Sequence, residues 1–315
     1  MRNDSSAYAI FRLLSVRGIG PAKVRAALEL ADGLRISLLD LVNQASEMKS
    51  VLGAEQIQCL RGNDVASAET WAKLHADDVR AISILDWEYP QSLKHLLRHD
   101  APPILFVRGN VDLLGGPSVG FCGSRKASDK GMSVARECAA IVSRENINVV
   151  SGYAAGVDMI THRTALESGG TTTLVLAEGI LRFRLKDDLK SVWDWKRSLV
   201  VSEYLPTVRW NVGNAMRRNG LICALCKAMV LIEARETGGS IDAGRTCLKL
   251  GVPLFAPVYE GMPESATGNR ILLTEGAKSL YKHRSNSRPN LGPLLHLYAG
   301  TTGHAPSAAR GSLAS

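Results

Sequence analysis

The sequence predicts an α/β fold, a doubly wound and mostly parallel sheet with a small helical domain in front of it. Three observations carry that prediction. From Val119 onward, short apolar runs alternate with stretches of helical periodicity, the rhythm of parallel strands joined by crossover helices. Several of these runs end in glycine-bearing loops, as at Gly123, Gly152 and Gly238, where a strand would hand over to a helix. The chain has 315 residues and 45% apolar content, enough for a full α/β core and one smaller unit.

The elements follow in order. Ala7 to Leu30 reads as a helix, a turn at Arg17-Gly18-Ile19-Gly20, and a second helix entered through Pro21, a residue suited to a first helical turn. This text looks like a helix-hairpin-helix, in which a glycine turn offers backbone N–H groups to phosphate. It also fits a tight turn in a small helical bundle. Helical text continues to about Leu74, so a helical domain is expected over 1–78. Ile82 to Leu93 and Pro102 to Asn110 then read as strand, turn, helix and strand.

Strands are expected at Val119–Cys122, Asn148–Ser151, Thr172–Leu176, Leu199–Ser202, Ala228–Glu233 and Val252–Ala256. Helices are expected at Gly131–Glu145, Val157–Gly169, Asp187–Trp195, Asn214–Leu225 and Ser240–Leu250. Right-handed crossovers place them on both faces, a Rossmann-like unit over 79–284. Beyond about His283 the text turns rich in Ser, Gly, Pro and Ala, so 285–315 is expected to be a disordered tail. No internal repeat is evident.

The formal net charge of +8 favours a polyanionic partner, because neutralising phosphates releases counterions. No apolar run reaches the roughly 18 residues of a membrane span, and the N-terminus MRNDSSAYAIFRLL lacks a signal-peptide pattern. A cytoplasmic protein without membrane contact is expected. Cys59, Cys122, Cys138, Cys223, Cys226 and Cys247 are scattered through apolar text, which fits buried, reduced thiols and no structural disulfide. Cys223 and Cys226 have the spacing of a redox or metal pair, but no second pair accompanies them and core packing explains them better. No metal and no cofactor are expected.

In an open parallel sheet, ligands bind beyond the carboxyl ends of the strands. Three loops stand there: Gly123-Ser124-Arg125-Lys126; Ser151-Gly152 running to Gly156 and Asp158, with His162 following; and Glu233 to Thr237, then Gly238-Gly239-Ser240 at a helix start. Glycines admit close backbone approach, arginine presents a planar fork, and a helix start favours an anion. Together the loops describe a phosphate groove. His162 is expected to hold backbone, which leaves Glu233 as the better acid–base candidate.

As an ordered set from about Leu85 to Tyr281, these residues resemble the DNA-processing protein A (DprA/Smf) family. The resemblance is carried by Gly123 to Lys126, Val150 to Asp158 with His162, Gly169-Gly170-Thr171, Ser202-Glu203-Tyr204, Arg217-Arg218-Asn219, and Glu233 with Gly239-Ser240, preceded by Tyr89-Pro90 and Arg108-Gly109-Asn110. It implies a non-catalytic protein that binds single-stranded DNA with little sequence preference. It further implies a homodimer that passes the strand to a RecA-type recombinase in natural transformation or related recombination. Gly123, Ser124 and Arg125 would hold backbone phosphates, with Arg217, Arg218 and Asn219 lining the same groove, and the dimer would form around Ala224–Ile232.

Some positions depart from the family pattern. Ala155 stands where arginine is usual, and Ala215 and Gly220 stand where an aromatic and a further arginine are usual. Trp210 or Tyr204 is available to replace the aromatic, and Arg182, Arg184 and Lys186 read either as a replacement basic rim or as a solvated face. No winged-helix pattern closes the chain. The alternatives are a nucleotide-binding sensor acting in signalling or defence, a nucleoside-monophosphate N-glycosidase relative, and an adaptor with a vestigial pocket. Residues 237–242 lack most of the glycosidase signature, which disfavours that enzyme.

Overall fold

The computed structural model of the protein describes residues 2–261, 263–282 and 288–299. Helices α1 (Arg2–Leu14), α2 (Pro21–Leu34), α3 (Leu38–Asn43), α4 (Ala54–Gly62) and α5 (Asp64–Ala76) lead into β1 (Arg80–Ser83), α6 (Gln91–Leu97) and β2 (Ile104–Gly109). There follow β3 (Ser118–Cys122), α7 (Asp129–Arg144), β4 (Asn148–Ser151), α8 (Val157–Glu167), β5 (Thr172–Val175), α9 (Asp187–Lys190) and β6 (Ser198–Ser202). The chain continues with α10 (Val212–Ala224), β7 (Ala228–Leu231), α11 (Gly239–Lys249), β8 (Leu254–Pro257), α12 (Thr267–Thr274), β9 (Lys278–Leu280) and α13 (Gly292–Leu295).

One sheet of nine described strands runs in the order β1-β2-β6-β5-β4-β3-β7-β8-β9. β2 pairs antiparallel with β1 and β6, and all other neighbours are parallel. The predicted doubly wound α/β architecture is therefore present. From β3 the chain winds outward through β4, β5 and β6, then returns to the other side of β3 as β7. The crevice between the carboxyl ends of β3 and β7 is the topological switch point.

The central strands are buried on both faces, so their side chains divide the core by alternation. Val150, Val175, Leu199, Val201 and Met229 meet the apolar faces of α6, α10, α11 and α12. Their neighbours Val149, Phe121 and Val230 meet α7, α8 and α13, while Phe106, Leu174 and Val200 meet the N-terminal helices. Phe11 of α1 stands edge-on to Phe106 of β2, with ring centroids 6.2 Å apart. The first five helices thus share a core with the antiparallel end of the sheet. In the turn after α1, Gly18 holds φ +79°, and Gln56 of α4 lies 3.1 Å from the place its Cβ would take.

Four expectations need correction. The helix expected at Asp187–Trp195 stops at Lys190. Trp193 and Trp195 both pack on Phe183 with centroids 6.3 Å away, whereas residues two apart on a helix diverge by about 200°. The tail expected from 285 is packed over a portion of its length. Leu291, Leu294 and Tyr298 are buried, and the Tyr298 hydroxyl donates to the Ser118 carbonyl at 2.7 Å, so these spaced apolar residues have a docking face. Residues 283–287 and 300–315 of that segment lie outside the described residues.

Ala224–Ile232 is not a free edge, because β7 is paired with both β3 and β8 and Ala228 to Ile232 are fully buried. Cys59 is exposed, while the other five cysteines are buried and all six are free. Among the described residues, no helix is long and apolar enough to cross a membrane.

The packed C-terminal segment generates a direct test. Leu294→Ala, which empties a fully buried site, is expected to lower stability by about 2–4 kcal/mol in urea unfolding. Tyr298→Phe, which removes the bond to Ser118 while keeping the ring, is expected to cost about 1 kcal/mol.

Candidate functional site

The switch point is closed by a buried carboxylate. Glu233, just beyond β7, has no exposed surface and accepts from the Ser128 N–H at 2.9 Å and from the Ser128 hydroxyl at 2.5 Å. Ser128 in turn caps α7 by accepting from Gly131 N–H at 3.0 Å. Gly131 carries no side chain, and a Cβ there would collide with Glu233. Both carboxylate oxygens are engaged in holding the loop after β3 against β7. Glu233 is therefore a structural clamp, which corrects its reading as an acid–base candidate.

Above that clamp, the loop at 123–128 interlocks with the start of α8. A Cβ on Gly123 would come 2.7 Å from Val157, and one on Gly156 would come 2.5 Å from the Ser124 carbonyl. Gly156 also adopts φ +80°, which other residues rarely tolerate. The Ser124 hydroxyl accepts from Lys126 N–H at 3.0 Å, turning the loop so that Arg125 and Lys126 are exposed.

The loop after β4 rests on a buried polar cluster. The fully buried Ser151 hydroxyl lies 2.7 Å from the Phe121 carbonyl and 3.0 Å from Asp158 Oδ1. Asp158 Oδ2 accepts from Ala154 N–H at 3.1 Å. Arg218 reaches under the loop from α10 and donates to the Val175 carbonyl at 3.0 Å. Gly152 is wedged among these groups, since a Cβ would fall on the Arg218 guanidinium and come 2.5 Å from Asp158.

His162 completes the cluster. The Gly152 carbonyl, 2.6 Å from Nε2, can only accept, so Nε2 carries the proton, while Nδ1 lies 2.6 Å from the Thr172 hydroxyl, which is also 3.0 Å from the Val149 carbonyl. Complete burial pushes the His162 pKa down to about 4, and the ring is neutral at ordinary pH. His162 holds backbone, as its sequence setting predicts.

The third loop carries Arg235 to Gly239 exposed ahead of α11, with Gly238 at φ +104°. Asn219 of α10 is buried and donates to the Gly239 carbonyl at 3.3 Å. A rim closes the other side. Lys186 Nζ donates to the Tyr153 carbonyl at 2.7 Å and lies 4.2 Å from the Tyr153 ring centroid, and Arg182 Nε donates to the Thr207 carbonyl at 3.1 Å. Trp210 stands exposed beside Arg125, whose guanidinium carbon is 6.0 Å from its ring centroid.

The structure therefore sorts the predicted residues by depth. Arg125, Lys126, Arg217, Gly238 and Gly239 are exposed at the strand ends, and Gly123, Ser124, Gly156 and Ser240 are partly so. Ser151, Gly152, Asp158, Arg218 and Asn219 are buried beneath them. Arg218, expected among the groove-lining cations, is a support under the floor because its guanidinium turns inward to Val175 and Gly152. Gly220 faces α6, 3.6 Å from Leu97 as measured from its ideal Cβ. The contribution of Tyr153, which anchors Lys186, was not visible from sequence because the two are far apart in the chain.

Cations and carboxylates perturb one another along this edge. Burial lowers the pKa of both Lys186 and Arg218; Asp158 opposes that shift, and Arg125 adds to it. Arg217 is near enough to Glu203 and Tyr204, just past β6, to favour ionisation of each against the burial that raises their pKa values. The cations of this edge are thus interleaved with carboxylates, Lys186 with Asp158, Asp188 and Glu178, and Arg217 with Glu203, and repulsion from Arg125 acts on both Lys186 and Arg218. Among the described residues, no group of three or more His, Cys, Asp and Glu is placed to hold a metal ion.

Comparison with known proteins is consistent with this geometry. A family model described as DNA recombination-mediator protein A matches residues 80–287. The chain is 34% identical over 200 residues to the DNA processing protein DprA of Streptococcus pneumoniae, covering 63% of this chain and 70% of that protein. It is 31% identical over 192 residues to Protein Smf of Escherichia coli, covering 60% of this chain and 50% of Smf. The X-ray structure of the Streptococcus pneumoniae protein is similar with a TM-score of 0.73 at 29% identity, over 87% of this chain and 94% of that one. A structure of DNA processing protein A from Helicobacter pylori, concerned with its single-stranded DNA binding mode, shares the fold with a TM-score of 0.57 at 22% identity, over 70% and 95% of the two chains.

Two stability measurements check the buried cluster. His162 has a folded pKa below its ordinary 6.5, so its contribution is present above about pH 6.5 and is lost as pH falls toward 4. The loss amounts to about 3 kcal/mol by the 1.36 kcal/mol per unit relation. Urea unfolding from pH 7 to 4 should show that decline, and His162→Gln should show less of it over the same window. Gly152→Ala is expected to destabilise by about 1–3 kcal/mol through overpacking against Arg218 and Asp158.

Proposed function

The chain belongs to the DNA recombination-mediator protein A family, the DprA/Smf proteins, and from that premise we propose that it binds single-stranded DNA along the carboxyl edge of its sheet. Its role is DNA processing in recombination. In the proposed reading it acts in the cytoplasm, shields the strand it holds, and passes that strand to a RecA-type recombinase, as in the uptake of foreign DNA. It works as a homodimer and as a binding protein, without a catalytic step.

The observation that carries this reading is the set of cations along the carboxyl edge of the sheet, where Arg125, Lys126, Lys186 and Arg217 are exposed around glycine-bearing loops. Exposed cations pair with phosphates, and a groove that tracks a backbone needs no base readout. The absence of a catalytic step is supported by the candidate acid–base groups. Both Glu233 oxygens and both His162 nitrogens are committed to internal partners.

Fluorescence anisotropy of a labelled oligothymidine across several salt concentrations tests the proposal. Salt-sensitive binding that duplex DNA and mononucleotides fail to displace is expected. Displacement by a mononucleotide would replace the reading with that of a nucleotide sensor, and absence of binding with that of an adaptor. Arg125→Ala is expected to weaken binding to unrelated oligonucleotides about equally and to flatten the salt slope by roughly one unit. Light scattering over a dilution series tests the dimer, and a mass fixed at one chain would refute it.

A further inference from the structure

We propose that Trp210 is a base-stacking platform at the rim of the groove, so that the strand is gripped by a base as well as by its phosphates. The proposal rests on the single-stranded DNA reading above and adds the ligand's base to it.

Trp210 retains 48% of its surface exposed. Its neighbour Val212 is 66% exposed, so two large apolar side chains stand in water beside a cationic edge. Isolated apolar residues on a surface need no explanation, but an aromatic paired with a cation at a phosphate groove has the composition of a single-strand site. The Arg125 guanidinium lies over one face of the Trp210 ring, 6.0 Å from its centroid, so a phosphate donor adjoins a stacking surface whose other face is left for a base.

The other aromatics at this edge are committed elsewhere. The Tyr204 hydroxyl donates to the Asn214 carbonyl at 2.8 Å, and the residue is half-buried. Tyr153 is half-buried, packs on Phe183 with centroids 5.5 Å apart, and donates its hydroxyl to the Arg184 carbonyl at 3.0 Å. Phe183 and Tyr259 are buried.

The backbone around Trp210 is also held. Gly179 N–H donates to the Val208 carbonyl at 2.9 Å and Leu181 N–H to the Pro206 carbonyl at 3.0 Å. On the far side, Asn211 caps α10 by accepting from Asn214 N–H at 2.8 Å. An exposed ring on a pinned segment is preorganised for stacking, because little freedom is lost when a base arrives.

The test compares oligothymidine with an oligonucleotide of equal length made entirely of abasic sites, using the full chain, Trp210→Ala and Trp210→Phe. Stacking predicts that Trp210→Ala binds oligothymidine about ten-fold or more weakly, while its affinity for the abasic strand and its salt slope stay at the parent values. Trp210→Phe should retain most of the parent's oligothymidine affinity. If Trp210→Ala binds oligothymidine like the parent, or loses affinity equally on both strands, stacking is overturned while the groove reading stands. If the parent binds neither strand, the groove reading itself fails. Thermal melts that match the parent separate a lost stack from a lost fold.

Discussion

The clamp between Glu233 and Ser128 is the constraint from which the rest of the site follows. Strands β3 and β7 are paired up to Cys122 and Leu231, with the Ile232 N–H donating to the Cys122 carbonyl at 2.9 Å, and beyond that point the two segments leave the sheet in different directions. A fully buried carboxylate that accepts both an N–H and an O–H from one residue ties them there. Burying a carboxylate is costly unless its oxygens are satisfied, so the loop has one geometry in which the cost is met. That geometry fixes the cap of α7, and with it the turn that exposes Arg125 and Lys126.

A second buried group has the same role at the end of the neighbouring strand, β4. Arg218, Asp158, His162 and Ser151 surround the Gly152 peptide, each with partners in the interior. Polar residues near a ligand edge are easily taken as ligand contacts. Here they build the floor, and the exposed cations stand on it. The division has a physical basis, since a guanidinium turned inward to a carbonyl in low dielectric rigidifies its surroundings, whereas one in water keeps its charge free for a phosphate.

Much of the architecture was legible in the sequence because it is periodic. The parallel strands from Val119 to Ala256 and the helices between them announce themselves by apolar runs and helical spacing, and the glycines at 123, 152 and 238 mark strand ends. Depth was not legible. Arg217 and Arg218 are adjacent in text, yet one faces water and the other the core, because consecutive residues on a helix point about 100° apart and only the fold says which direction is inward. The same limit hid the burial of Ala228–Leu231 between β3 and β8. It hid the packing of Leu291, Leu294 and Tyr298 as well, since three spaced apolar residues in Ser- and Pro-rich text reveal no core until α7 and β3 supply a face. Trp193 and Trp195 misled for a different reason. Their segment has helical composition, but a shared contact with Phe183 outweighs propensity.

The departures at 155 and 220 look less severe against this geometry. Gly220 faces α6, so a cation there would have to reach around a packed helix before it met the groove. Near Ala155, the Lys186 ammonium is brought to the Tyr153 carbonyl, returning a positive charge to the loop from a segment about thirty residues downstream in the chain. Charge at such an edge is fungible because its range spans several ångströms, up to a Debye length of about 8 Å at physiological salt, so a cation lost from one loop is replaceable from another. A stacking surface is not, since it works only in contact. In the proposed reading, an edge built this way preserves phosphate attraction through many substitutions, while its hold on bases depends on wherever one aromatic ring is kept exposed.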